Sequence, residues 1–238
     1  MNKEEFVDSI RLRYGWHIPN TASECGCGKR NNLNHALSCK KGGYIIYRHD
    51  RVRDENGKFL RQVCQDVQIE PGLLPIKANK FESSGNTSDS SRLDIAARGL
   101  WGPFQRTLFD VRIFHPNCDS YRSSDITDLY KLHENQKIRE YGNRVAQIEK
   151  ASFTPLVYST HGGMSIQAER FYKRLAKLIS EKRKESYDDV IRHLRTKIRF
   201  TLLKSVLVSL RGVRGRHHQR QETPLSFVEF GLIPEMKS

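Results

Sequence analysis

The chain has no apolar run approaching the roughly 18–20 residues of a membrane span, so no helical anchor is expected within it. Its opening, MNKEEFVDSIRLR, lacks the apolar region of a secretory signal. There is no internal repeat, which excludes solenoids and propellers, and no GxxxxGK[ST] loop to cradle a nucleoside triphosphate. No Ser-His-Asp arrangement stands out. Acidic residues are also scarce: 27 Asp or Glu face 41 Lys or Arg, a formal charge of +14. A surplus of that size points to a polyanionic partner. Without membrane features, the expected partner is nucleic acid and the expected location intracellular, nuclear if the source is eukaryotic. Charge alone does not separate DNA from RNA.

What is present begins with length. At 238 residues the chain can bury a real core, and one domain with a small appendage is expected. Five cysteines is an odd number, and three are crowded into CGCGKRNNLNHALSC beside a histidine. Cys25, Cys27, His35 and Cys39 follow the spacing C-x-C-x7-H-x3-C. In a reducing compartment such a cluster reads as a metal site rather than a disulfide framework. Three thiolates and an imidazole can wrap a tetrahedral Zn²⁺ with four closed protein ligands, hence a structural role. Gly26 and Gly28 allow the tight turns, and a helix from Asn32 on would put His35 and Cys39 on one face. Cys64 and Cys118 have no evident partner and read as core residues.

The stretch Arg92–Pro116, RLDIAARGLWGPFQRTLFDVRIFHP, reads as two strands joined by a Gly-Leu-Trp-Gly-Pro loop. Side chains two apart share a strand face. Leu108, Asp110, Arg112 and Phe114 should therefore point one way, and Phe109, Val111, Ile113 and His115 the other. Asp94 sits on the first strand and Asp110 on the second, each among apolar residues. A buried carboxylate needs a partner. The pair is either a divalent-cation site or a set of salt bridges, for instance Asp110 with Arg112 or Arg98.

Other elements follow the same logic. Residues 2–14 read as an amphipathic helix with Phe6, Val7 and Ile10 on one side. Tyr44–Val63 reads as one long helix or one interrupted at Asn56-Gly57, and Asp66–Glu70 as a short strand. Residues 77–91 are polar and Ser-rich, a surface loop. A helix begins near Ser124 or Asp125 and carries His133, Lys137 and Tyr141 as one stripe. Phe153–Thr160 reads as an apolar strand, followed by helices over Ser165–Lys184 and Tyr187–Leu210. From Met164 to Arg220 there are sixteen Lys or Arg against five Asp or Glu, which reads as a phosphate-tracking surface. The expected organisation is an N-terminal helix and zinc knuckle over 1–43, an α/β core over 44–163, a basic helical extension over 164–212 and a tail over 213–238.

The order helix, strand, acidic strand, acidic strand, helix, strand resembles the restriction-endonuclease-like core, whose motif is PD…(D/E)xK. Arg92-Leu93-Asp94 and Asp110-Val111-Arg112 stand in those places, with Leu93 for Pro and Arg112 for Lys. The series is most similar to the endonuclease domain of site-specific non-LTR retrotransposons. That domain combines a CCHC knuckle, a basic Arg/Lys-His-Asn/Asp motif (here Arg48-His49-Asp50), two acidic strands and a lysine moved onto the next helix (here Lys137, with Tyr141). It also resembles domains that follow reverse transcriptases in mobile elements.

The resemblance spans roughly residues 20–160. It implies a mixed sheet flanked by helices and a metal-dependent endonuclease that nicks or cleaves duplex DNA. Asp94 and Asp110, with the Val111 carbonyl, would bind Mg²⁺ or Mn²⁺, and Glu70 is a candidate third carboxylate. Lys137 would assist the attacking water, supported by Tyr141 and Arg112. Arg48, His49, Arg51 and Arg53 would contact nucleic acid together with the knuckle. The chain would be a free-standing nuclease or a fragment of a larger reverse-transcriptase-containing protein. The alternative is a zinc-containing nucleic-acid-binding module whose nuclease fold has lost catalysis.

Overall fold

The computed structural model describes residues 1–76, 85–88, 90–121 and 123–212; part of the Ser-rich loop and the expected tail lie outside them. The fold is mixed α/β. Its centre is a four-stranded sheet of β1 (Gln65–Ile69), β2 (Ile95–Arg98), β3 (Arg106–Phe114) and β4 (Ser152–Ser159), in that spatial order. The first three strands are antiparallel neighbours, and β4 runs parallel to β3, reached through helix α4 (Ile126–Lys137). Pro155 lies within β4, opposite Asp110. β4 is an edge strand, where a missing N–H costs no ladder bond on the open side.

The expected alternation along β3 is observed. Phe109 and Val111 enter the main core, while Leu108 and Phe114 enter two smaller clusters on the other face. The main core joins the sheet to α3 (Tyr44–Leu60), α5 (Ile166–Arg183) and α6 (Tyr187–Arg211). Phe171, Tyr172, Leu175, Leu194, Ile198 and Leu202 lie in that same cluster. The basic helices thus share one continuous apolar core with the sheet. Burying a side chain such as Phe171 completely contributes about 2–3 kcal/mol.

Helix α3 runs through Asn56-Gly57 without a break. Asn56 is fully buried and bridges elements instead of turning the chain. Its Oδ1 accepts from Tyr172 Oη at 2.7 Å and Tyr158 Oη at 3.3 Å, and its Nδ2 donates to the Val52 carbonyl at 2.9 Å. Gly57 packs closely on β1, where a Cβ would come within 2.7 Å of Ile69 Cδ1 and push the end of that side chain aside.

Helix α1 (Lys3–Tyr14) has nearly the expected limits, and the residue it buries most fully is an acid. Asp8 is buried and receives two hydrogen bonds at 2.7 Å from Arg211, at the end of α6. Leu12 packs with Ala36 and Leu37 of α2 (Leu33–Ser38) and with the end of α6. Of the apolar residues read on one side, Phe6 and Val7 are exposed and Ile10 is half-buried. The ion pair with Arg211 sets the orientation of this helix.

Candidate functional site: a carboxylate centre and a Cys–His cluster

The Cys–His cluster is assembled as the spacing requires. The ligand atoms of Cys25, Cys27, His35 and Cys39 all lie within 4.8 Å of one another. Cys25 Sγ and Cys39 Sγ are 3.7 Å apart, and Cys27 Sγ is 3.3 Å from His35 Nε2. A tetrahedral ion with Zn–S near 2.3 Å sets sulfurs roughly 3.8 Å apart. The four could hold a metal ion such as zinc. Asn32 caps α2 by accepting from the His35 N–H at 2.8 Å, and the Cys39 N–H donates to the His35 carbonyl, also at 2.8 Å. Those local bonds fix the two ligands one turn apart. Cys64 and Cys118 are half-buried and free.

The second centre draws on four elements. Asp94 precedes β2, and its Oδ2 accepts from the Val111 N–H at 2.5 Å. His49, on α3, places Nε2 3.1 Å from the same oxygen and Nδ1 3.3 Å from Asp50. Burial pulls the imidazole pKa down, but the hydrogen bond and charge of Asp94 outweigh it and push it up to about 9. His49 is therefore an imidazolium at neutral pH, ion-paired with Asp94.

Asp110 lies deeper. Its Oδ1 accepts from Lys137 Nζ at 3.3 Å. Its Oδ2 lies 3.2 Å from the same nitrogen, out of line for a hydrogen bond, and has no hydrogen-bond partner. Burial raises the Asp110 carboxyl, Lys137 lowers it, the Asp94 charge raises it again, and it stands at about 7. Lys137 loses solvation to burial but gains more from Asp110 and Glu140, the latter at 3.3 Å, so its pKa is raised.

The stripe on α4 meets the face of β3 residue for residue. The His133 ring lies 4.6 Å from Phe114, Lys137 reaches Asp110, and Tyr141 packs in the cluster with Leu108. After Lys137 the helix widens into π-turns over Ile138–Gly142 and Val145–Glu149. Such turns re-aim side chains and recur at functional sites. Here they keep Lys137, Glu140 and Tyr141 together, with Lys137 Nζ 5.2 Å from the centre of the Tyr141 ring. The i,i+3 spacing of Glu140 from Lys137 is the sequence signal for this pair.

Other candidates fall elsewhere. Glu70 is held by Arg53 and by Arg92, the latter at 3.9 Å. Among the described residues, the grouping of three or more metal-capable side chains is the Cys–His cluster, and Glu70 does not complete a third ligand beside Asp94 and Asp110. Arg48 is corrected from surface to interior. It is 2% exposed, donates from Nη2 to the Leu37 carbonyl at 3.1 Å, and leaves Nε and Nη1 without partners. It cannot contact a phosphate from there. Arg53 is mostly buried and engaged by Asp50, Asp54 and Glu70, so its charge is compensated internally. Arg51 is half-buried, and Arg112 is exposed on the Asp110 face, its charge felt by His133.

No protein-family model and no curated protein matches the chain. Among the described residues, no helix is long and apolar enough to cross a membrane.

Proposed function

We propose that the protein is a metal-dependent DNA endonuclease of the restriction-endonuclease-like type, with a structural zinc in the Cys–His cluster. The observation that carries this reading is Asp110. A buried carboxylate beside a lysine and in the field of a second carboxylate, with one oxygen lacking a hydrogen-bond partner, keeps that oxygen available to a cation. That donor set fits a hard divalent cation, since Mg²⁺ is held by one or two carboxylates and keeps several waters. The element order α3–β1–β2–β3–α4–β4 supports the same reading.

A bound Mg²⁺ or Mn²⁺ would neutralise charge on the scissile phosphate and lower the pKa of a water. Asp94 and Asp110 would hold that cation. The Val111 N–H orients Asp94, so its carboxylate is fixed before substrate arrives. Lys137 would orient the attacking water and stabilise negative charge developing on the phosphate. Glu140 and the Tyr141 ring position the ammonium. His49 competes with the cation for Asp94 and would move aside, or remain as a neighbouring donor to phosphate. The exposed cations of α5 and α6 would track the backbone, contacts that position rather than specify.

A second reading has its own support. The His49–Asp94 and Lys137–Asp110 pairs partly satisfy both carboxylates without any cation. A nucleic-acid-binding module that has lost catalysis would be built this way. Manganese titration followed by electron paramagnetic resonance separates the two. The endonuclease reading expects one Mn²⁺ bound beyond the zinc, lost in Asp110→Ala; no such binding supports the inert module.

A further inference from the structure

The face of α1 that points away from the protein carries large apolar side chains and no acid. Phe6 is 55% exposed and Tyr14 62%. Trp16, just beyond the helix, is 60% exposed and stacks on Tyr14, with ring centres 5.2 Å apart and planes 25° from parallel. The three acidic residues of α1 are occupied elsewhere: Glu5 accepts from the Asn2 N–H, Asp8 holds Arg211, and Glu4 lies in the field of Arg211. Lys3 and Arg13 are exposed beside the rings. Helical periodicity puts the exposed Lys3, Phe6, Val7, Arg13 and Tyr14 on one arc around a half-buried Ile10.

We propose that Tyr14, Trp16 and Phe6, flanked by Lys3 and Arg13, form a stacking platform for an unpaired strand of nucleic acid. Flat rings take bases face to face whatever their sequence, and cations beside them take the phosphates. A duplex offers stacked bases whose faces are already covered, so these rings have little to grip there. The nearly parallel rings and the absence of acid on that arc favour a strand over an apolar protein segment. The inward face of helix α1 is fixed to α2 and to the end of α6, which leaves the platform held on an anchored helix. The choice of nucleic acid rests on the reading of the chain as a nuclease, but the platform does not use the carboxylate centre.

Trp16 and Trp101 are the only tryptophans. Trp101 is half-buried and donates to Thr154, so a ligand on α1 reports through Trp16. The full chain, in buffer without divalent cations, is titrated with an oligothymidylate of about fifteen nucleotides, near the upper site size of such platforms. A duplex of equal length and phosphatidylserine-containing vesicles are titrated in parallel. The oligothymidylate should quench the emission and the duplex should not. Trp16→Ala should abolish the quench and weaken binding at least about fivefold, with Trp16→Phe restoring affinity.

Asp110→Ala should bind the strand as the wild type does, so failure of catalysis and failure of the platform are distinguishable. Equal strand affinity of the wild type and Trp16→Ala overturns the proposal. So does a response to vesicles alone, self-association lost in Trp16→Ala, or a Trp16 already shielded from iodide in the free chain.

Discussion

Lys137 and Asp110 meet across 27 residues, from the end of a helix and the middle of a strand. Arg112, at the strand position where the PD…(D/E)xK pattern expects the lysine, is exposed, and a partly buried ammonium arrives from α4 instead. Lys137→Ala should therefore lower DNA nicking by two orders of magnitude or more, the usual scale for losing a preorganised charge at a reacting phosphate. DNA binding in a gel-shift assay should be nearly unchanged. Arg112→Ala should reduce nicking far less.

The Cys–His cluster makes an independent prediction. About one equivalent of zinc per chain is expected by atomic emission, and lost in Cys25→Ser or His35→Ala. Because α2 packs on the end of α6 through Leu37, Val206 and Leu210, removing the ion should loosen both. Tm should fall by at least about 5 °C, corresponding to roughly 2 kcal/mol in a chain of this size.

Asn56 is the hub of a buried network, and its removal tests the core. Asn56→Ala strands the hydroxyls of Tyr158 and Tyr172, both fully buried, with only each other as partners. Unsatisfied buried groups cost about 1–3 kcal/mol each. Chemical denaturation should show a loss on the order of 2–4 kcal/mol with an unchanged m-value.

Two histidines set an acid limit. Burial lowers His115, helped by the charges of His161 and Arg48, and burial with the Arg112 charge lowers His133, each to about 4. The unfolded chain, with histidines near 6.5, binds more protons between pH 6.5 and 4, so stability is full above 6.5 and lost as pH falls through that window. Thermal melts of His133→Gln, which retains a polar group at the Tyr121 hydroxyl, should show a shallower decline from pH 6.5 to 4 than the wild type.

The Cys–His cluster was legible because its four members lie within fifteen residues and the spacing carries the geometry. The alternation of β3 was legible for the same local reason, and it put Asp110 on the correct face. What escaped the sequence depends on distant partners. Asp8 is drawn inward by Arg211, 203 residues away, and this left Phe6 and Val7 exposed. Arg48 reads as basic surface, yet it is buried under α2 and bonded to the Leu37 carbonyl. Asn56-Gly57 reads as a turn until Tyr158 and Tyr172 supply its partners. Glu70 lies beside Asp94, whose carbonyl accepts from its N–H at 2.9 Å, but its carboxylate is drawn to Arg53 and Arg92, partners distant in sequence.

The most direct test of the central claim is nicking of a supercoiled plasmid by the purified chain with Mg²⁺ or Mn²⁺, wild type beside Asp110→Ala. The wild type should convert supercoiled DNA to open circles only when the cation is present. Asp110→Ala, still able to bind DNA, should leave the plasmid intact. Equal conversion by both proteins, or none by the wild type with either cation, would contradict it.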